Sequence, residues 1–109
     1  MPDYRSKLLP EPMRSINSAS FTGSYQVIGT PIAFPSRILL FVNNSGVNVT
    51  ISWDGTNDAF VLLPGAGFAI DENANAVSQA TYETKAGTQF YAKGAASIGL
   101  IYLTTFYVI

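Results

Sequence analysis

From Phe21 onward the chain is a series of short β-prone runs separated by clusters of Gly, Pro, Asn and Asp at intervals of roughly ten residues. The strictest run has Val47, Val49, Ile51 and Trp53 alternating with polar residues, the pattern of a strand with one buried face. No run is long and periodic enough to predict an amphipathic helix. The pattern predicts an all-β fold: a single β-sandwich or jelly-roll-like domain of about seven to eight short antiparallel strands, with a closed barrel as the alternative.

The turn residues divide the chain into predicted strands at 25–28, 37–43, 47–53, 60–63, 68–70, 88–93 and 98–109. The run 37–43 is apolar on both faces, which predicts a central strand buried on both sides. The turn sequence at 43–46, Asn-Asn-Ser-Gly, predicts a hairpin between the second and third strands. The segment 76–84 fits neither period and is assigned to a loop, with a short strand at 81–83 as the alternative.

Residues 1–20 differ from the rest of the chain. Three of the six prolines and five of the thirteen charged residues lie within the first fourteen positions. Because proline at this density excludes a regular helix or a central strand, residues 1–20 are predicted to form an extended N-terminal arm before a β-sandwich domain at 21–109. Leu8, Leu9 and Met13 make the arm apolar. It either lies on a neighbouring subunit or is a frayed terminus.

The last predicted strand has apolar residues on both faces. Both faces of such a strand must be covered, whereas the opposite sheet of a single sandwich covers only one of them. Either the second face contacts another subunit, or the strand is central and packs under the N-terminal arm. The first alternative, with the apolar arm, predicts an assembly interface formed by Leu8, Leu9, Met13, Ile101, Leu103, Tyr107 and Ile109.

Charged residues make up 12% of the chain and hydrophobic residues 48%, whereas roughly 25% charge is usual for a soluble domain. This shortage of charge predicts burial against neighbours in a homo-oligomer or larger assembly. The alternative is a soluble monomer with Ser, Thr, Asn and Gly as its surface. The net charge of −1 without a basic cluster argues against direct nucleic-acid binding. The longest apolar run is too short for a spanning helix, and no secretory signal is predicted.

The chain contains no His and no Cys, so the imidazole base, the thiolate nucleophile and the usual zinc ligands are all missing. The carboxylates outside the arm lie in or beside predicted turns, where such residues bond to nearby backbone: Asp54, Asp58, Asp71, Glu72 and Glu83. The protein is therefore predicted not to be an enzyme and to have no catalytic, cofactor-binding or metal site. The alternative is a sugar-binding platform on the sandwich, formed by the aromatic residues Tyr25, Trp53, Tyr82, Tyr91 and Tyr102. Trp53, on the dry face of its strand, is predicted to be core.

Four runs of this sequence, at 16–26, 41–45, 49–52 and 87–94, resemble small virion structural proteins of tailed bacteriophages. The resemblance implies a capsid decoration or cement protein that stabilises the phage head by binding the major capsid protein, with a trimer as the favoured homo-oligomer. Such a protein is located in the virion after synthesis in the bacterial host cytoplasm. A head-to-tail connector or a tail or fibre-associated subunit is the rival within this class. A small carbohydrate- or protein-binding β-sandwich module is the rival of another class.

Overall fold

The computed structural model describes residues 8–71 and 83–108, which form two antiparallel sheets packed face to face. The strands are β1 (Leu8–Pro10), β2 (Arg14–Asn17), β3 (Gln26–Val27), β4 (Ser36–Ser45), β5 (Val49–Ser52), β6 (Phe60–Leu62), β7 (Gly67–Asp71), β8 (Tyr91–Lys93) and β9 (Gly99–Val108). Sheet 1 has the order β1-β9-β4-β7, with β2 also paired to β9, and sheet 2 has the order β3-β8-β5-β6. The predicted all-β sandwich is confirmed.

The strand connections are those of a jelly roll. β1 and β2 pair with successive parts of β9 and so act as one interrupted strand, leaving two sheets of four. From β2 onward the link between β5 and β6 stays within one sheet, and the other links between described strands pass from one sheet to the other. This alternation of sheets is how the two Greek keys of a jelly roll are connected.

The predicted hairpin between the second and third strands is wrong, because β4 belongs to sheet 1 and β5 to sheet 2. The turn at this point carries the chain across the sandwich. The buried Asn43 side chain fixes the crossing, since its Nδ2 donates to the carbonyl oxygens of Val47 at 2.8 Å and Leu62 at 3.0 Å. Leu62 belongs to β6 of sheet 2.

The core lies between the sheets and is built from inward-facing residues of the strands and from residues of the segments that connect them. Twelve buried apolar side chains form it: Phe21, Ile28, Ile32, Leu39, Phe41, Val49, Ile51, Leu62, Phe90, Ala92, Ile101 and Leu103. Trp53 packs against this cluster, with ring centroids 5.1 Å from Phe90 and 6.0 Å from Phe41. Its predicted core role is confirmed.

The N-terminal segment is part of the sandwich from residue 8 onward and is not a separate arm. Residues 8–10 and 14–17 both pair with β9, which places β9 between the N-terminal strands and β4. Pro10 and Pro12 are accommodated because an edge strand has one side that needs no hydrogen-bond donors. The last strand is therefore central, as the second alternative expected, but the N-terminal segment lies beside it in sheet 1 and does not cover its second face.

A nearly buried ion pair ties this segment to the loop at 28–35. Glu11 is 5% exposed, and its carboxylate accepts from Arg14 at 2.9 Å and from the backbone N–H groups of Ala33 at 3.1 Å and Phe34 at 3.3 Å. Arg14 Nε also donates to the carbonyl oxygen of Thr30 at 2.7 Å. Burial by itself would raise the pKa of Glu11. The three hydrogen bonds and the Arg14 charge outweigh it and hold that pKa below its ordinary value.

This ion pair predicts a specific acid sensitivity. Because the pKa of Glu11 is lower in the folded state, its contribution to the free energy of unfolding is present above the unfolded-state pKa and is lost as the pH falls through the folded-state pKa. We expect Glu11→Gln to lower that free energy at pH 7 by about 1–2 kcal/mol, as a hydrogen bond to a charged group is lost. The difference from wild type should shrink at pH 3, as measured by urea denaturation at both pH values.

The matched control is Glu83→Gln. Glu83 forms a 3.4 Å ion pair with Arg37 that is much more exposed, and exposed pairs contribute roughly 0–1 kcal/mol. Equal losses for the two variants, or a Glu11→Gln loss that stays constant with pH, would contradict the role given to the buried pair.

Candidate assembly surfaces

Sheet 1 has an outer face, directed away from the core, that is almost entirely uncharged. It is formed by the alternate residues of the sheet 1 strands that do not enter the core. From the described residues these are Leu8, Pro10, Ser15, Asn17, Ile38, Leu40, Val42, Asn44, Ala69, Asp71, Leu100, Tyr102, Thr104, Phe106 and Val108. Asp71, at one end, is the charged residue among them, and the Arg37–Glu83 ion pair lies at the same end, where β4 begins. This set is called the outer face of sheet 1 below.

The register of β4 and β9 makes this face continuous. Ile38 lies opposite Phe106, and Val42 lies opposite Tyr102. These side chains are half-buried by one another, and no described strand lies over them. A row of large apolar residues with solvent on one side is typical of a surface that is covered in an assembly.

The outer face of sheet 2 is different, because charged and polar side chains bind one another across it. The hydroxyl of Tyr25, just before β3, donates to Asp58 in the β5–β6 loop. Lys93 Nζ lies 3.1 Å from Asp58 Oδ1 and 4.5 Å from the centre of the Tyr25 ring. Burial and the hydrogen bond to Asp58 raise the pKa of Tyr25 to about 12, and the hydrogen bonds from Tyr25 and Lys93 lower the pKa of Asp58. The outer face of sheet 2 therefore carries a cluster of charged and polar side chains, with Val27 and Val61 about half exposed on its two edge strands.

Asp54 organises that loop, as predicted for a turn carboxylate. Its Oδ1 accepts from the backbone N–H groups of Thr56 at 2.9 Å and Asn57 at 2.8 Å, and from the Ser52 hydroxyl at 2.9 Å. These hydrogen bonds hold the pKa of Asp54 well below its ordinary range. The carboxylate is therefore engaged within the turn and is not arranged as an acid or base.

Among the described residues, the fold does not bring the tyrosines of the alternative sugar platform onto one open face. Tyr25 is engaged by Asp58 and Lys93. The ring of Tyr91 is covered by Gly55, where φ is +77° and an added Cβ would lie 3.1 Å from the ring. Tyr102 lies on the opposite sheet, and Tyr82 lies outside the described residues.

A third surface lies along the side of the sandwich where β6 and β7 are neighbours. Seven uncharged residues line a cavity of about 300 Å³ there: Phe60, Val61, Leu62, Leu63, Ala66, Gly67 and Phe68. The rings of Phe60 and Phe68 contact each other in this lining, with centroids 4.9 Å apart, and Val61 and Leu63 are more than half exposed. This surface is called the edge groove below.

The predicted interface residues of the N-terminal segment lie at the edge of sheet 1. Leu8 is exposed on the outer face, Leu9 is half-buried opposite Tyr107, and Met13, between β1 and β2, is 60% exposed. The fold thus leaves Leu8 and Met13 available for contact but places Leu9 against its own chain.

The prediction that Ile101 and Leu103 form an assembly interface is wrong. Both are fully buried between the sheets, because their face of β9 is the one directed at the core. Tyr107, on the same face, stacks on Phe34 with ring centroids 4.2 Å apart, and Ile109 lies outside the described residues. The residues of β9 open to a partner are those of the opposite face, such as Tyr102.

Across residues 8–71 and 83–108, no three His, Cys, Asp or Glu side chains are grouped to hold a metal ion. The same residues contain no helix with the length and apolar character to cross a membrane. Neither a protein-family model, nor a curated protein, nor a solved structure matches this chain. The surfaces themselves therefore carry the functional argument.

Proposed function

We propose that the protein is a non-enzymatic structural subunit of a tailed-phage particle, a capsid decoration or cement protein that docks on the major capsid protein. The docking surface is the outer face of sheet 1. The observation that carries this proposal is the difference between the two outer faces. One is apolar and nearly uncharged, and the other carries the charged and polar cluster of Tyr25, Asp58 and Lys93.

The size of the outer face of sheet 1 supports a stable interface. β4 and β9 have ten residues each. Such strands extend over about 33 Å, and four strands cover a width of about 19 Å at the usual spacing. The flat area, about 600 Å², approaches the roughly 800 Å² that each partner buries in a standard protein–protein interface. The accessible area is larger than this flat area, because side chains project from the sheet.

The fold agrees with this class of function without deciding it. Jelly-roll sandwiches occur in viral capsid domains and also in lectins, and a fold alone does not determine a function. Between those two uses, the side chains favour docking, because the tyrosines of sheet 2 are occupied by their own loop. The resemblance to small virion proteins supports the same choice.

The proposal is tested by co-sedimentation with phage heads that lack the protein. We expect the wild-type chain to sediment with heads and Val42→Lys to lose at least about tenfold in affinity. An ammonium buried without a partner costs several kcal/mol, and each ~1.4 kcal/mol corresponds to a factor of ten. Val42 lies in the middle of the face, opposite Tyr102.

The matched control is Val27→Lys, which makes the same change on the outer face of sheet 2, in the edge strand β3. We expect it to bind heads like the wild type, and thermal melts should show that both variants are folded. Sedimentation with tails alone would place the protein among the connector or tail subunits. Equal binding of heads by Val42→Lys and the wild type would overturn the assignment of the docking face.

A further inference from the structure

We propose that copies of this chain bind one another by inserting Ile98 of one copy into the edge groove of the next. Ile98 precedes β9, and it is the most exposed of the large hydrophobic residues in the described structure, at 90%. The edge groove is the apolar cavity of about 300 Å³ between β6 and β7. This inference concerns surfaces other than the outer face of sheet 1 and does not depend on the proposed place in a virion.

The segment around Ile98 is suited to insert into a neighbouring subunit, and the Ile98 side chain is called the knob below. Residues 94–97 are Gly-Ala-Ala-Ser, so no large or charged side chain beside Ile98 keeps a neighbour at a distance. Two hydrogen bonds fix the segment on its own chain, from Ser97 N to the carbonyl oxygen of Ser18 at 3.2 Å and from Gly46 N to Ser97 Oγ at 3.2 Å. An apolar side chain on a fixed loop loses little entropy when it is buried.

The edge groove is suited to bind an apolar side chain such as Ile98. Its lining is apolar and uncharged, so a neutral apolar knob enters it without desolvating a charge. Leu63 is 59% exposed and Phe68 is 45% exposed, which leaves apolar area for a partner to cover. The cavity of about 300 Å³ is large enough for a single branched aliphatic side chain.

The contact must form between copies. The groove is lined by residues 60–68, and Ile98 stays 90% exposed, so Ile98 does not occupy the groove of its own chain. The knob and the groove are different patches of one subunit, which makes the contact heterologous. Heterologous contacts produce closed rings or open filaments. A closed ring agrees with the trimer implied by the resemblance.

The test measures mass by light scattering across a concentration series. We expect the wild type to form an oligomer, and Ile98→Asp and Leu63→Asp each to be monomeric. An equimolar mixture of the two variants retains one intact knob and one intact groove, so it should give a dimer of twice the monomer mass. Met13→Asp, which changes a side chain of similar exposure (60%) elsewhere, should keep the wild-type mass.

A positive measurement uses the absence of native cysteine. Mixing Ile98→Cys with Leu63→Cys under mild oxidation should give the mixed disulfide dimer in excess of either homodimer, and Met13→Cys should give no such excess with either partner. A wild type that is monomeric at all concentrations overturns the proposal. So does a variant mixture that stays monomeric without the mixed disulfide. Loss of head binding by Val42→Lys with an unchanged oligomer mass would separate this contact from the docking face.

Discussion

Gly99→Ala is expected to lower the free energy of unfolding by about 3 kcal/mol or more, through backbone strain and overpacking together. Gly99 begins β9 with φ at +109°, and a Cβ built there would lie 1.9 Å from the carbonyl oxygen of Asn44. That oxygen belongs to the backbone of β4, so it cannot move without breaking the register between Gly99 and Ser45. Urea denaturation at neutral pH measures the loss.

The control for this prediction is Gly87→Ala. Gly87 has a similar φ of +90° but no atom within 4 Å of the added Cβ. Its substitution should therefore lower the free energy of unfolding by only about 1–2 kcal/mol, the cost of placing an L-residue in the left-handed conformation. Equal losses at the two positions would contradict the close approach of β9 to β4 at the start of the strand pair.

Asn43→Ala is expected to cost about 3 kcal/mol, since each buried group that loses its hydrogen bond costs about 1–3 kcal/mol. The Asn43 side chain is fully buried, and both its amide nitrogen and its amide oxygen form hydrogen bonds. Its Nδ2 donates to Val47 and Leu62, and its Oδ1 accepts from the backbone N–H and hydroxyl of Ser45. Removing it leaves the Leu62 carbonyl without this donor and also creates a cavity.

Asn44→Ala is the matched control, because Asn44 is the exposed next residue on the outer face of sheet 1. Exposed substitutions of this kind change stability by roughly 0.5 kcal/mol or less. A thermal or urea melt in which Asn43→Ala behaves like Asn44→Ala would contradict the role of Asn43 in joining the two sheets at the crossing.

The sequence predicted the fold class because the local signals and the tertiary structure agree. Alternation at 47–53 matches β5 with its inward Val49 and Ile51, and the turn that contains Asp54 falls between β5 and β6. The turn predicted at 43–46 was placed too early, since β4 continues to Ser45. The prediction of a hairpin was wrong because a turn sequence does not specify which sheet the chain enters next. That choice depends on Asn43 reaching Leu62, a contact 19 residues apart.

The N-terminal segment was misjudged for a related reason. Proline excludes a central strand but permits an edge strand. The partner that makes residues 8–17 an edge strand, β9, lies at the other end of the sequence. The burial of Glu11 and Arg14 could not be predicted from the local sequence either, because two opposite charges three residues apart are typical of an exposed ion pair.

The assembly interface was predicted on the face of β9 that carries Ile101 and Leu103, whereas the structure directs that face into the core. Both faces of that strand are apolar, and its two threonines, Thr104 and Thr105, fall one on each face. Alternation therefore could not tell the core face from the outer face. The position of sheet 2 decides it, since it covers Ile101 and Leu103 and leaves Tyr102 outward.

We expect the outer face of sheet 1 to be buried in the native assembly. A cryo-EM map of the particle that contains this chain would show this, because the map shows the neighbours of each face. We expect density of a neighbouring protein over Val42 and Tyr102, with Tyr25 and Lys93 of sheet 2 facing solvent. A subunit attached through sheet 2, with Val42 and Tyr102 facing solvent, would contradict the claim.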